Sequence, residues 1–348
     1  MMGLSYTLTV VLLGTLILGA TAGAVGTFIV LRRQALVGDA LSHATLPGVV
    51  GAFMLMQIRR VEIFLIGAFV VAFLAMALLE IIKRYSRIKF DASMALILSS
   101  FFGFGQVLLS HVQKTGASSQ AGLSRFIFGQ AATLLRSDVY MLAGVAAFLV
   151  IVMLLFWKEL KLYIFDESYF KALGYSERVI SAVLTLMVVL TIVIGIWMVG
   201  VILMSALLIA PAVAARQFSN RFYINVAFAA FIGGVSGMAG TYLSADTTNM
   251  PTGPVIAIVL GVVVLFSVLF APRSGIVKRG FQNLVFKSRI KKYRKLIHFH
   301  ETPSASEEAP EDYAYFLERK VMREQDGHLE LTDKGLSVIR KIKGGRKP

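Results

Sequence analysis

No cysteine occurs in the 348 residues, which removes disulfides, thiolate metal ligands and cysteine nucleophiles in one step. Charge is scarce too: Asp, Glu, Lys and Arg make up 16% of the chain, against about a quarter in soluble domains. Of five histidines, only His43 and His111 precede residue 272. There is no GxxxxGK[ST] stretch to cradle a nucleotide phosphate.

Hydrocarbon fills the space. Hydrophobic residues make up 57% of the sequence and the mean hydropathy is +0.74, the composition of an all-α polytopic membrane protein. At about 20 residues per span, candidates fall at 8–31, 36–57, 61–82, 91–112, 138–157, 179–198, 200–217, 224–244 and 253–271, which gives eight to nine transmembrane helices. Between 179 and 217 only Gly195 and Gly200 break the run, which fits two short spans or one long bent element. The first run has its charge after it, at Arg32-Arg33, rather than before it, so a retained helix with its N-terminus outside is expected, not a cleaved signal. Threading from there puts residues 83–89, 158–161, Arg216, Arg221 and the tail in the cytoplasm. Arg59-Arg60 and the 113–136 loop run against the positive-inside bias.

The net charge of +15 raises the question of nucleic acid. It divides into two parts: residues 272–348 hold 18 Lys/Arg and 10 Asp/Glu, the first 271 hold 17 and 10. In the membrane portion, 1–271, the basic residues lie between apolar runs, as topology signals do. The tail, 272–348, has a basic amphipathic run, an acidic linker (ETPSASEEAPED) and a short amphipathic unit, enough for a small cytoplasmic domain.

One stretch is out of character with its surroundings: LRRQALVGDALSHATLPG, residues 31–48. Asp39 and His43 stand at i and i+4, on one helix face. Ionisable groups inside a span are costly and mark a pathway, a pairing or a proton relay. Pro47 deprives the His43 carbonyl of its helical donor, predicting a kink, and Gly38 and Gly48 permit close helix packing. Carboxylate plus imidazole suits a divalent transition metal, and two copies across a two-fold axis would supply two Asp and two His. The alternative is that Asp39 pairs with Arg32 or Arg33 while a neighbouring hydroxyl satisfies His43.

LRRQALVGDALSHATLPGVVGA resembles the signature of permease subunits of bacterial ATP-binding-cassette importers for manganese, zinc and iron. RFIFGQAATLLRSDV (125–139), FDESYFKALGYSERV (165–179), VGVILMSALLIAPAVAARQ (199–217) and LSADTTNMPTGPVIAIVLG (243–261) resemble further family segments in the expected order. The resemblance implies a type II-like importer permease that dimerises with a copy or a paralogue. Its other partners are a cytoplasmic ATPase, which uses the ATP, and an extracytoplasmic metal-binding protein. It implies no permanently bound cofactor, only a transported ion, and a metal site formed by Asp39 and His43. It also makes 165–174 the coupling segment, docking on the ATPase through Phe165, Tyr169, Phe170 and Leu173, with Asp166 in the same stretch and Gly174 as helix stop.

Weaker candidates are His111, Asp246 and Asn249 at the outer face, for which a solvated loop is the competing explanation, and His298 and His300 in the tail. LERKVMREQDGHLELTDKGLSVIRKI resembles the end of a winged-helix domain, with a wing at Asp326-Gly327 and Thr332 as N-cap of a last helix. The acidic linker stands where a helix-turn-helix is expected and would repel phosphate, so nucleic acid is not the expected partner. The rival readings are a permease for a metal chelate, such as a siderophore or cobalamin, and a membrane-anchored metal-responsive transcriptional regulator.

Overall fold

The computed structural model describes residues 6–56, 60–114, 134–246, 250–271, 275–278, 293–301, 314–325 and 328–343. The chain divides into two compact units, Met1–Arg273 and Ser274–Pro348. The first contains twelve described helices: α1 (Tyr6–Leu31), α2 (Leu36–Ala44), α3 (Leu46–Met56), α4 (Val61–Tyr85), α5 (Phe90–Lys114), α6 (Arg136–Leu155), α7 (Trp157–Phe165), α8 (Glu167–Ala172), α9 (Glu177–Val199), α10 (Val201–Phe218), α11 (Phe222–Asp246) and α12 (Thr252–Phe270). Seven of these, α1, α4, α5, α6, α9, α11 and α12, are long and apolar enough to cross a membrane. The other two expected spans are the broken α2–α3 pair and α10, with its shorter apolar stretch Leu203–Phe218.

Burial separates inner helices from outer ones. Within the chain 67% of the α1 span and 61% of the α9 span are buried, against 22% for α4 and 17% for α6. The tightest pairing is α1 with α11, and glycine makes it possible: a methyl group at Gly19 would strike the Gly233 carbonyl, and one at Gly23 the Ala229 carbonyl. With no hydrophobic effect between helices in lipid, such backbone contact is a main source of cohesion. Thr15 and Thr241 add a hydroxyl contact of 3.0 Å across the seam.

The run from 179 to 217 is two helices. Gly200 sits between α9 and α10 with φ +84°, a conformation open to glycine at no steric cost. A side chain at Gly195 would meet Met204. Nine residues of straight helix would hold those positions roughly 13 Å apart, so the chain turns back on itself at Gly200.

Helix α2 gives way to α3 at Thr45, two residues before Pro47. The Thr45 N–H still bonds the Leu41 carbonyl at 3.1 Å, and the N–H groups of Gly48 and Val49 both turn to the Thr45 carbonyl, at 3.0 and 3.1 Å. Proline has no N–H to offer the His43 carbonyl, and the interruption falls where that bond is lost. Two hydroxyls support the break: Ser42 donates to the Gly38 carbonyl at 2.6 Å and Thr45 to the Ser42 carbonyl at 2.7 Å. Neighbouring helices hold it from outside. Pro47 and Leu46 would lie 2.9 Å from a methyl at Gly105 of α5, and Gly48 and Gly67 of α4 meet backbone to backbone.

The second unit contains α13 (Arg294–Glu301), α14 (Ala314–Glu318), an antiparallel pair β1 (Met322–Gln325) and β2 (His328–Leu331), and α15 (Asp333–Lys343). Leu296, Phe316, Val321, Met322, Leu329 and Ile339 form its core. Thr332 accepts the Gly335 N–H at 3.2 Å at the start of α15. Gly335 is required there, because a methyl group would strike the Val321 carbonyl. The expected wing turn at Asp326-Gly327 and all of the acidic linker after Glu301 lie outside the described residues, as do Arg59, Asn249, most of the 113–136 loop and most of the basic run.

Candidate metal centre

Asp39 lies in the first turn of α2 and His43 in its last. The dipole of this nine-residue helix favours a carboxylate at the one end and a cation at the other. His43 Nε2 stands 3.7 Å from Asp39 Oδ1, too long for a direct hydrogen bond. Two ligand bonds of about 2.1 Å would bridge that gap at a nitrogen–metal–oxygen angle of roughly 120°. The His43 ring is set edge-on to Phe102 of α5, with centroids 5.0 Å apart. Gly38 lets α2 lean against α10: a methyl group there would come within 2.8 Å of the Leu208 side chain.

Both side chains are open on the outer surface of this single chain, Asp39 46% and His43 30% exposed. The pairing with an arginine that the sequence also allowed does not form at Arg32, which is engaged by Tyr163 and Glu167. The nearby hydroxyls of Ser42 and Thr45 donate to backbone carbonyls. Among the described residues no three His, Asp or Glu side chains gather into a metal cage, so one chain offers this face two ligands.

The weaker candidates are dispersed. His111 is exposed in the last turn of α5 and Asp246 is exposed at the end of α11. His298 and His300 are exposed on α13, and side chains two apart on a helix point to different sides, so they do not act as a chelating pair.

The stretch 165–174 takes the form of a short helix with defined ends. Asp166 caps α8 by accepting the Tyr169 N–H at 2.8 Å, and Gly174 leaves it with φ +82°. Phe165, Tyr169 and Leu173 are exposed, and Tyr175 joins them. Phe170 corrects the expected docking set: it is 1% exposed, packed on Tyr163 at 5.4 Å and stacked on Tyr175 at 5.1 Å. It anchors the helix to the chain's own core.

Around this helix runs an alternating series of charges, only part of which the sequence reveals. Lys171 Nζ lies 2.8 Å from both Glu167 and Glu177, and Arg32 Nη2 lies 3.9 Å from Glu167. The hydrogen bond from Lys171 holds the Glu167 carboxyl below its ordinary range, against a smaller opposing effect of burial. Bonds from Glu167 and Glu177 push the Lys171 ammonium upward. Glu167 and Lys171 stand at i, i+4, a spacing visible in the sequence; Arg32 and Tyr163 are 131 residues apart and carry no such signal.

Comparison with known proteins identifies the family of the chain. The chain is 46% identical over 271 residues to the zinc transport system membrane protein TroC of Treponema pallidum, covering 78% of this chain and 91% of that protein. It is 40% identical over 291 residues to the manganese transport system membrane protein MntC of Bacillus subtilis, covering 84% and 67%. The solved structure of PsaBC from Streptococcus pneumoniae in complex with Fab superposes with a TM-score of 0.69 at 31% identity, covering 79% of this chain and 95% of that one. The model of the ABC 3 transport family matches residues 5–271; the chain belongs to that family, as a membrane permease subunit.

Proposed function

We propose that this permease conducts a divalent transition metal, Mn²⁺, Zn²⁺ or Fe²⁺, into the cytoplasm by alternating access, with Asp39 and His43 as half of the transit site. The observation that carries this is the pair itself: a carboxylate and an imidazole 3.7 Å apart on an otherwise apolar helix, open on a surface the chain does not cover. A carboxylate left facing lipid costs about 2.5–3.5 kcal/mol even on the most lenient scale. A second permease, a copy or a paralogue, removes that cost by facing it with matching ligands. The names of the zinc and manganese relatives support the cargo class.

The surrounding assignments follow. The N-terminus lies outside, Arg32-Arg33 mark the cytoplasmic end of α1, and residues 272–348 form a small cytoplasmic, winged-helix-like domain. The membrane unit, 1–271, crosses nine times if α2–α3 and α10 each count as a span. Phe165, Tyr169 and Leu173 dock on an ATPase subunit, which hydrolyses the ATP, and the outer face receives metal from an extracytoplasmic binding protein. An ion stripped of water for passage would find replacement ligands in one oxygen, from Asp39, and one nitrogen, from His43, per subunit. Reconstitution with the ATPase and uptake assays for the three metals test the reading. Asp39→Ala or His43→Ala should abolish uptake while the complex still assembles; wild-type uptake by both variants would overturn it.

A further inference from the structure

One side chain of the turn that opens the metal-carrying helix, Arg32, reaches to the coupling segment. Arg32 closes α1 with its N–H on the Phe28 carbonyl at 3.2 Å, Arg33 follows with φ +59°, and the Gln34 N–H returns to the Ile29 carbonyl at 3.0 Å. Leu36 already begins α2, so this turn has little slack. The Arg32 side chain is 11% exposed. Its guanidinium lies 4.3 Å from the Tyr163 ring centroid, donates to the Tyr163 hydroxyl at 3.1 Å, and reaches Glu167 at 3.9 Å. Tyr163, 1% exposed, packs on Phe170 inside α8. Contact is therefore continuous from the exposed face of α8, through Phe170, Tyr163 and Glu167, to Arg32.

We propose that Arg32 is a positioning residue linking the coupling segment to the metal helix, so that displacement of α8 by the ATPase is passed through Tyr163 and Glu167 to Arg32. The tight turn then carries it to Asp39 and His43. This rests on the importer reading given above. Arginine fits the task because one planar group both stacks on the ring and donates to its hydroxyl, which a lysine ammonium does not do. A residue that only anchored α1 would not alter how α2 answers the nucleotide.

The absence of cysteine supplies the test. Leu36→Cys, at the exposed first residue of α2, is labelled with a spin probe before assembly with the ATPase, and its spectrum is followed on adding a non-hydrolysable ATP analogue. The label should respond with Arg32 present and fail to respond in Arg32→Ala, with metal moved per ATP falling about tenfold. Should Arg32→Ala not assemble, Arg32→Lys is expected to show a weakened response and a smaller loss. An unchanged response in the Arg32 variants, or no response with Arg32 present, would overturn the proposal. Wild-type uptake by both the Asp39→Ala and the His43→Ala variants would instead overturn the metal reading, leaving an Arg32-dependent label response standing.

Discussion

Two groups of ionisable side chains, one on α2 and one around α8, are treated oppositely by the fold. Around α8 the charges complete one another: Lys171 has carboxylates at 2.8 Å on two sides, and Arg32 is covered by Tyr163 and Glu167. On α2 they do not: Asp39 and His43 stand 3.7 Å apart and half open, with no third ligand gathered among the described residues. A set that satisfies itself within one chain is built to hold a shape. On the function proposed above, the set left incomplete on an apolar helix is completed from outside, by an ion and a second subunit.

The largest predicted effects attack the incomplete set. Asp39→Ala and His43→Ala should each lower uptake by about 100-fold or more, since loss of even an outer partner of a metal site costs 10–100-fold. Thermal stability of the purified complex should stay close to wild type, because neither side chain lies in the core. The opposite signature is expected from Gly48→Val. The backbone of α3 meets that of α4 there, and overpacking of this kind costs about 1–3 kcal/mol, so a fall in melting temperature should accompany the loss of uptake. Gly38→Ala presses only on the end of the Leu208 side chain and should be milder on both measures.

The complete set should yield smaller effects. Glu177→Gln leaves Lys171 with Glu167 as partner, and exposed pairs of this sort contribute little. Uptake should change by about twofold or less, while amide exchange across 167–178 should quicken. The pH response carries a definite sign. Glu167 is held below its ordinary carboxylate range, so its stabilisation is fully present above that range and disappears only as pH falls through the lowered value. Amide protection of α8 should therefore be flat from alkaline pH down to the ordinary carboxylate range and decline only as pH falls further; a decline starting near neutrality would mean the carboxylate is not held as the structure shows.

Much of the membrane unit was legible in the sequence because lipid demands long apolar runs, and these are easy to see. Asp39, His43 and Pro47 were legible for the same reason, since ionisable residues and proline are conspicuous against hydrocarbon. What was hidden depended on distance or direction. Arg32 reads as a topology signal until Tyr163, 131 residues away, is folded onto it. Phe165, Tyr169, Phe170 and Leu173 look alike in sequence, and only packing against Tyr163 and Tyr175 turns Phe170 inward. The α9–α10 run was ambiguous because in a membrane no polar loop is needed where one glycine at φ +84° reverses the chain.

The claim that α2 carries half of a site is tested most directly by counting ions. In the assembled complex, trapped with its permeases paired and equilibrated with Mn²⁺ or Zn²⁺, the metal retained at the membrane site is measured by mass spectrometry against protein. The account predicts one ion per pair of permease subunits, lost in the Asp39→Ala, His43→Ala double variant. One ion per subunit, or the same retention in the double variant, would contradict it.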